Sequence, residues 1–274
     1  MGLSCTCVVV HFGYLWTVKL NFTKYHGTGN DFVMVDNRGA SVRLTPQQIR
    51  SICARSFGVG ADGIILIEAP RSAKSMFYMN YYNSDGSQSF CGNGSRCAVH
   101  FAHQLGAFTT GNKFEAIDGL HQAHIHEGFI DIAMGDTPAP EAIPEGFFVN
   151  TGSPHVLIYV DNVDETDVDR MGALLRYSGR WGEAGTNVNF IERSEVGIRM
   201  RTYERGVEAE TYSCGTGATA VAITDALIHG GNERRITTRG GELTVRFKKS
   251  KNGYASIWLG GPAKSVFTGN IDVQ

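Results

Sequence analysis

No stretch of the 274-residue chain approaches the run of about 18 apolar residues that a membrane-spanning helix needs, so no membrane partner is expected. Charge of one sign is also missing. The 25 Lys and Arg face 27 Asp and Glu, a formal net charge of −2, which argues against nucleic acid and anionic surfaces as principal partners. Cysteine is sparse: Cys5, Cys7, Cys53, Cys91, Cys97 and Cys214 are too few and too scattered for a disulfide framework in a chain of this length. A reducing, cytoplasmic setting follows as the expectation, and any important cysteine would act as a thiol. The apolar start has neither the basic region nor the small-residue cleavage site of a secretory signal, and residues 1–18 read as a poorly structured extension.

What the chain has in excess is glycine, 34 residues, or about 12% against an average near 7%. Many positions must therefore serve tight turns or close approach of backbone to a neighbour or ligand. Several glycines fall in an internal repeat. The segment from Gly29 to Asn37 is echoed from Gly152 to Asn162, and Gly60–Glu68 is echoed by Gly185–Glu192. Cys91-Gly92-Asn93-Gly94-Ser95 returns as Cys214-Gly215-Thr216-Gly217-Ala218. A helix opening at Thr45-Pro46 has its counterpart between about Glu165 and Arg176.

Four blocks in one order at nearly one spacing predict an α/β chain of the α+β type. It would have two pseudo-symmetric lobes, each a mainly antiparallel curved sheet or barrel around a long central helix, with a cleft between them. The expected lobes are 19–133 and 134–262, with 263–274 a strand that returns to the first lobe. The expected central helices run from Gly92 to Leu105, with Ala98, Phe101, Ala102 and Leu105 on one buried face, and from Gly215 to Ile228, stopping near Gly230. Strands are expected at Met76–Tyr82 and Gly197–Tyr203.

Both Cys-Gly-x-Gly elements open a helix. Each thiol would then lie beside unpaired backbone N–H groups at the positive end of the helix dipole, which favours thiolate. The amides of Gly92, Asn93, Gly215 and Thr216 suit a carboxylate, and two helix starts aimed at one carboxylate would also stabilise charge on a carbon that has lost its proton. A lone buried cysteine is as a rule a small apolar core residue, and Cys53 and Cys97 read that way. Cys91 and Cys214 differ because they are repeat equivalents. Two thiols facing each other across a cleft form a two-base pair, one removing a proton from one face of a stereocentre and the other supplying one to the opposite face.

The motifs resemble those of the diaminopimelate epimerase family of cofactor-independent amino-acid epimerases. They are His26-Gly27-Thr28-Gly29-Asn30-Asp31-Phe32, Asn83-Ser84-Asp85-Gly86-Ser87, Cys91 to Cys97, Gly152-Ser153-Pro154-His155, Thr186-Asn187, Tyr203-Glu204-Arg205-Gly206 and Cys214 to Ala218. They extend from about Lys19 to the C-terminus. The resemblance implies interconversion of LL- and meso-diaminopimelate on the route to lysine and peptidoglycan, with no cofactor and no metal. It implies Cys91 and Cys214 as the acid/base pair, and Asn30, Asn83, Gly92, Asn93, Asn187, Glu204, Arg205, Gly215 and Thr216 as substrate-binding residues. His155 and Glu204 fall where the family tunes its thiols, a carboxylate or imidazole being able to accept a thiol proton; the plain alternative for His155 is a structural hydrogen bond. Arg205 and Glu204 suit the distal zwitterion of a diamino diacid. Two positions depart from the family pattern: Ser153 stands where many members carry Asn, and Gly63 where they carry Gln. Phe267 lies where the family places an aromatic of its dimer contact, which makes a homodimer the expectation.

Three other readings compete. A proline or hydroxyproline racemase shares the two-cysteine layout but has Cys-Gly-His in its first motif, and it lacks the Glu204-Arg205 pair. A cysteine hydrolase leaves the duplicated element unexplained. A non-catalytic amino-acid-binding protein would be expected to have lost one of the cysteines. His121, His124 and His126 read as exposed strand residues and not as metal ligands, and His26-Gly27-Thr28-Gly29 is not a dinucleotide fingerprint because no helix follows it.

Overall fold

The computed structural model describes residues 18–126 and 128–273; the N-terminal extension up to residue 17, with Cys5 and Cys7, lies outside the described residues. The first half runs β1 (Val18–Gly27), β2 (Asn30–Asp36), α1 (Pro46–Cys53), β3 (Gly63–Glu68), β4 (Tyr78–Asn83), α2 (Gly92–Gln104), β5 (Lys113–Ala116), β6 (Gly119–His126) and β7 (Phe129–Ala133). The second half runs β8 (Thr137–Pro138), β9 (Glu141–Ile143), β10 (Gly146–Asn150), β11 (Pro154–Tyr159), α3 (Val168–Arg176), β12 (Asn187–Ser194), β13 (Gly197–Glu204), β14 (Ala209–Thr211), α4 (Gly215–His229), β15 (Glu233–Thr238), β16 (Gly241–Ser250), β17 (Gly253–Gly261) and β18 (Lys264–Val273).

The repeat is visible in the pairing. β2 lies parallel to β3 with Phe32 opposite Gly63, and β11 lies parallel to β12 with His155 opposite Asn187. Each second strand then pairs antiparallel with the next, β3 with β4 and β12 with β13. β7 joins the halves by pairing with β6 on one side and β17 on the other, and β18 pairs antiparallel with β1 along most of its length.

The two faces of these sheets explain their composition. Phe32 and Met34 of β2 point to α2, while Val33 and Val35 point to α1. A strand buried on both faces reads as a continuous apolar run, as β2 and β3 do. In the second lobe α3 covers Val188, Phe190 and Tyr203, while Leu157, Ile191, Met200 and Leu243 pack on α4. α1 begins with a capping box between Thr45 and Gln48 and has Pro46 in its first turn. α3 starts later than its acidic prelude suggested, because the Asp167 side chain accepts the Arg170 N–H and caps it there.

The central helices are buried more completely than one apolar face requires. In α2 every residue from Asn93 to Val99 is buried, and in α4 burial runs from Gly217 to Ala226. Small side chains permit this, since a sheet can close around a helix of Gly, Ala, Ser and Thr at short distance. The consequence for the site is rigidity: the body of each helix is enclosed by its sheet, and the first turn that carries the cysteine is held in place by it.

Candidate active site

Cys91 and Cys214 are the N-cap residues of α2 and α4, both in extended backbone conformation. The two helix starts converge on one leucine of β17. A Cβ at Gly92 would stand 3.8 Å from Leu259 Cδ2, and one at Gly215 would stand 2.7 Å from the same atom. A side chain at Gly215 would have to displace that leucine methyl. Between the helix starts opens a cavity of about 960 Å³. Cys91, Gly92, Asn93, Asn30, Cys214, Gly215, Thr216, Asn187, Glu204 and Arg205 all line it.

The first thiol lies in a set of oriented amides. Gly94 donates its N–H to Cys91 Sγ at 3.3 Å, and the thiol in turn faces Asn30 Oδ1 at 3.5 Å. Asp62 fixes the rotamer of that amide by accepting Asn30 Nδ2 at 2.6 Å. Asn93 donates to the Ser213 carbonyl at 3.0 Å, and Thr28 donates to the Ser213 hydroxyl at 2.9 Å, so the first lobe grips the residue that precedes Cys214. Arg96, fully buried, holds both donors through one nitrogen that lies 3.0 Å from Thr28 Oγ1 and from Asn93 Oδ1.

On the opposite wall, Asn187 donates to Ser153 Oγ at 2.8 Å and to the Pro154 carbonyl at 3.0 Å, while its Oδ1 accepts the Arg205 N–H at 2.8 Å. The Arg205 guanidinium makes no ion pair among the described residues and reaches Ser153 Oγ at 3.5 Å. Glu204 accepts from Thr211 Oγ1 at 2.8 Å, and burial raises its carboxyl above the ordinary range. His155, fully buried, lies 3.0 Å from Thr216 Oγ1, which lies 3.5 Å from Cys214 Sγ. Burial, helped by the nearby Arg205 charge, lowers the His155 pKa to about 3 and keeps the ring neutral.

Several expectations need correction or relocation. The helix N-termini were expected to favour thiolate, but burial outweighs them. Cys91 is pushed up to about 11 by burial, a shift that the Gly94 N–H only partly offsets and Glu204 reinforces; Cys214 is pushed up the same way. Asn83 does not line the cavity, because its amide is bonded to Ser87 and Ser89 and receives the Tyr81 hydroxyl at 2.8 Å. At Gly63 a Cβ would stand 2.4 Å from the Tyr82 carbonyl and 2.5 Å from the Tyr81 ring, so Tyr81 occupies the space a longer side chain would take. His121 is not an exposed strand residue: it stacks on Phe90 at 4.2 Å, bonds Asp118 at 2.9 Å and lines the cavity.

Sequence reasoning missed Asp62, Arg96, Ser213 and Asn189. For Asn189 a signal existed. It alternates with Asn187 at the start of a strand whose neighbours Val188, Phe190 and Ile191 are apolar, so the two share a face, and two amides on a buried face call for partners.

A family model for diaminopimelate epimerase matches residues 22–130 and 147–266. A diaminopimelate epimerase of Flavobacterium psychrophilum is 46% identical over 257 residues, covering 90% of this chain and 98% of that one. One from Aquifex aeolicus is 37% identical, covering 93% and 99%. Among solved structures, a phenazine biosynthesis protein of the PhzF family from Bacillus anthracis superposes with a TM-score of 0.70 at 16% identity, covering 93% of this chain and 99% of that one. A hydroxyproline epimerase from Agrobacterium vitis gives 0.66 at 14%, covering 93% and 92%. These two share the two-lobed fold, and the sequence relatives decide the family. On the family model and on relatives matched over nine-tenths of its length, the chain belongs to the diaminopimelate epimerase family.

Proposed function

We infer that the protein epimerises LL-2,6-diaminopimelate to the meso form, an isomerase step in lysine and peptidoglycan precursor synthesis. The observation that carries this is the pair of helix-capping thiols converging on one cavity whose second-lobe wall holds Arg205, a guanidinium with no ion pair among the described residues. One cysteine, as thiolate, takes the α-proton, and the other, as thiol, delivers a proton to the opposite face. The roles exchange with direction. The amides at Gly92-Asn93 and Gly215-Thr216 receive the carboxylate of the reacting carbon and the charge that develops on it. A thiolate is costly in this buried pocket, and the substrate's own ammonium supplies positive charge beside the sulfurs when it binds.

At the distal end Arg205 takes the second carboxylate as a bidentate fork, and Asn187 and Glu204 present acceptors to the second ammonium. Asn30 and Asn93 orient the near end. Asn83 contributes through Ser89, which lines the cavity and holds its amide. Ser153 leaves Arg205 without the longer amide common in the family, so the guanidinium carries more of the distal recognition. The racemase alternative is disfavoured because a monocarboxylate such as proline would leave Arg205 desolvated and unpaired. We place the reaction in the cytoplasm, in keeping with two thiols that must stay reduced.

The testing assay follows LL-diaminopimelate and, separately, L-proline by NMR with reduced protein. Formation of meso-diaminopimelate with no proline racemisation supports the reading, and turnover of proline alone defeats it. We further propose a homodimer formed through β18, where Val266 and Phe267 are half exposed and Phe267 packs edge-on to Phe22 at 5.9 Å. Sedimentation of wild type and Phe267→Glu tests it: wild type sediments as a dimer and the variant as a monomer, whereas a monomeric wild type rejects the contact.

A further inference from the structure

Among the described residues the chain Asn189–His155–Thr216 behind Cys214 is buried up to its half-buried threonine, whereas the one behind Cys91, through Asn30 to Asp62, reaches the surface, and hydrogen-bond logic fixes the direction of the first. The Val156 carbonyl can only accept, so the end of the Asn189 side chain that lies 3.0 Å from it is the NH2 group. The Thr202 hydroxyl, 3.0 Å from Asn189 Oδ1, is placed to donate to the other end. That NH2 group also faces His155 Nδ1 at 3.1 Å, which makes Nδ1 an acceptor. A neutral imidazole then carries its hydrogen on Nε2 and donates it to Thr216 Oγ1. Among the described residues Thr216 Oγ1 has one other neighbour, Cys214 Sγ at 3.5 Å; a thiolate there can only accept, so the hydroxyl donates to the sulfur whenever Cys214 is ionised.

We propose that Asn189 is a positioning residue that fixes His155 as a hydrogen-bond donor through the Thr216 hydroxyl to Cys214, so that the imidazole holds the Cys214 thiolate and does not take its proton. This rests on the two-thiol reading above, and it reverses the sequence-based expectation that an imidazole would accept a thiol proton.

The setting explains why such a chain is useful. Burial, the Glu204 carboxylate on β13 and any thiolate on Cys91 across the cleft oppose a negative charge on Cys214, and the donors that favour it are Thr216 and the Gly217 N–H. Burial, with the Arg205 charge adding to it, opposes a positive ring and so keeps His155 neutral, with Nδ1 free to accept. Gly217 is glycine for the same reason: a Cβ there would stand 2.6 Å from Asn189 Oδ1. The first lobe supplies an internal comparison. Phe32, Ile65 and Asn93 occupy the positions of His155, Asn189 and Thr216, and Cys91 meets the acceptor Asn30 Oδ1 where Cys214 meets a hydroxyl. The pair is therefore chemically unequal by construction.

Two measurements test this. In wild-type protein with 15N-labelled histidine, long-range imidazole correlations between pH 6 and 9 are expected to show His155 with Nε2 protonated, Nδ1 bare and no titration. An imidazolium or an Nδ1–H ring in that range overturns the proposal. The second uses Cys91→Ala as background and follows iodoacetamide labelling of the Cys214 peptide by mass spectrometry as pH rises. Thr216→Val and Asn189→Leu are expected to move the labelling midpoint upward by about one pH unit, lowering labelling about tenfold below it, while Thr216→Ser keeps the parent profile. An unmoved midpoint in Thr216→Val overturns the relay. Labelling needs no epimerase turnover, so a wild type inactive on diaminopimelate with these shifts intact would reject the substrate reading alone.

Discussion

Acid should destabilise this protein in part through His155. His155 is fully buried, and its folded pKa is lowered from 6.5 to about 3 by burial and by Arg205. A depressed folded pKa means that the unfolded chain takes up the proton first. The stabilising contribution is therefore complete above about pH 6.5 and is lost progressively as pH falls toward 3. At pH 5 the unfolded ring is protonated across about 1.5 pH units while the folded ring stays neutral, which corresponds to about 2 kcal/mol at 1.36 kcal/mol per unit. His155→Gln removes the titration. It also disturbs Asn189 and Thr216, a cost that does not vary with pH, so the informative quantity is the difference between pH 7.5 and pH 5. Equilibrium urea unfolding of both proteins at both pH values measures it. Wild type should lose about 2 kcal/mol more than the variant, and equal losses would refute a neutral, buried His155.

Other outcomes follow from the site. Arg205→Lys keeps the charge but loses the fork, and should raise KM for diaminopimelate at least tenfold with a smaller change in kcat; an unchanged KM removes Arg205 from the distal subsite. Gly63→Gln would drive a side chain into the Tyr82 carbonyl and the Tyr81 ring. It should destabilise the fold by about 1–3 kcal/mol in thermal or urea unfolding, and no loss would mean that Tyr81 does not fill that space.

The repeat was legible because its signals are local. A glycine turn before a strand and a cysteine at a helix start both depend on short stretches of chain, and they located α2, α4 and the cavity-lining residues around Cys91 and Cys214. The all-round burial of α2 and α4 was not legible from periodicity, since Gly, Ala, Ser and Thr carry no strong apolar stripe and the closing sheets are remote in sequence. The direction of the thiol shifts was misread for the same reason. A helix N-terminus is visible in sequence, whereas the burial that overrides it at Cys91 depends on how the chain folds around it, and the Glu204 charge, remote in sequence, adds to it. Arg96 and Asp62 went unnoticed because their roles are to hold Asn93, Thr28 and Asn30 across the fold.

The most direct test of the two-thiol reaction is the early time course in D2O with LL-diaminopimelate, comparing wild type with Cys91→Ala and Cys214→Ala. A two-base exchange predicts that the meso product carries deuterium at the inverted carbon while recovered LL substrate carries little, and that neither variant forms the meso isomer. Equal deuterium in substrate and product from the outset, or epimerisation surviving in either variant, would contradict it.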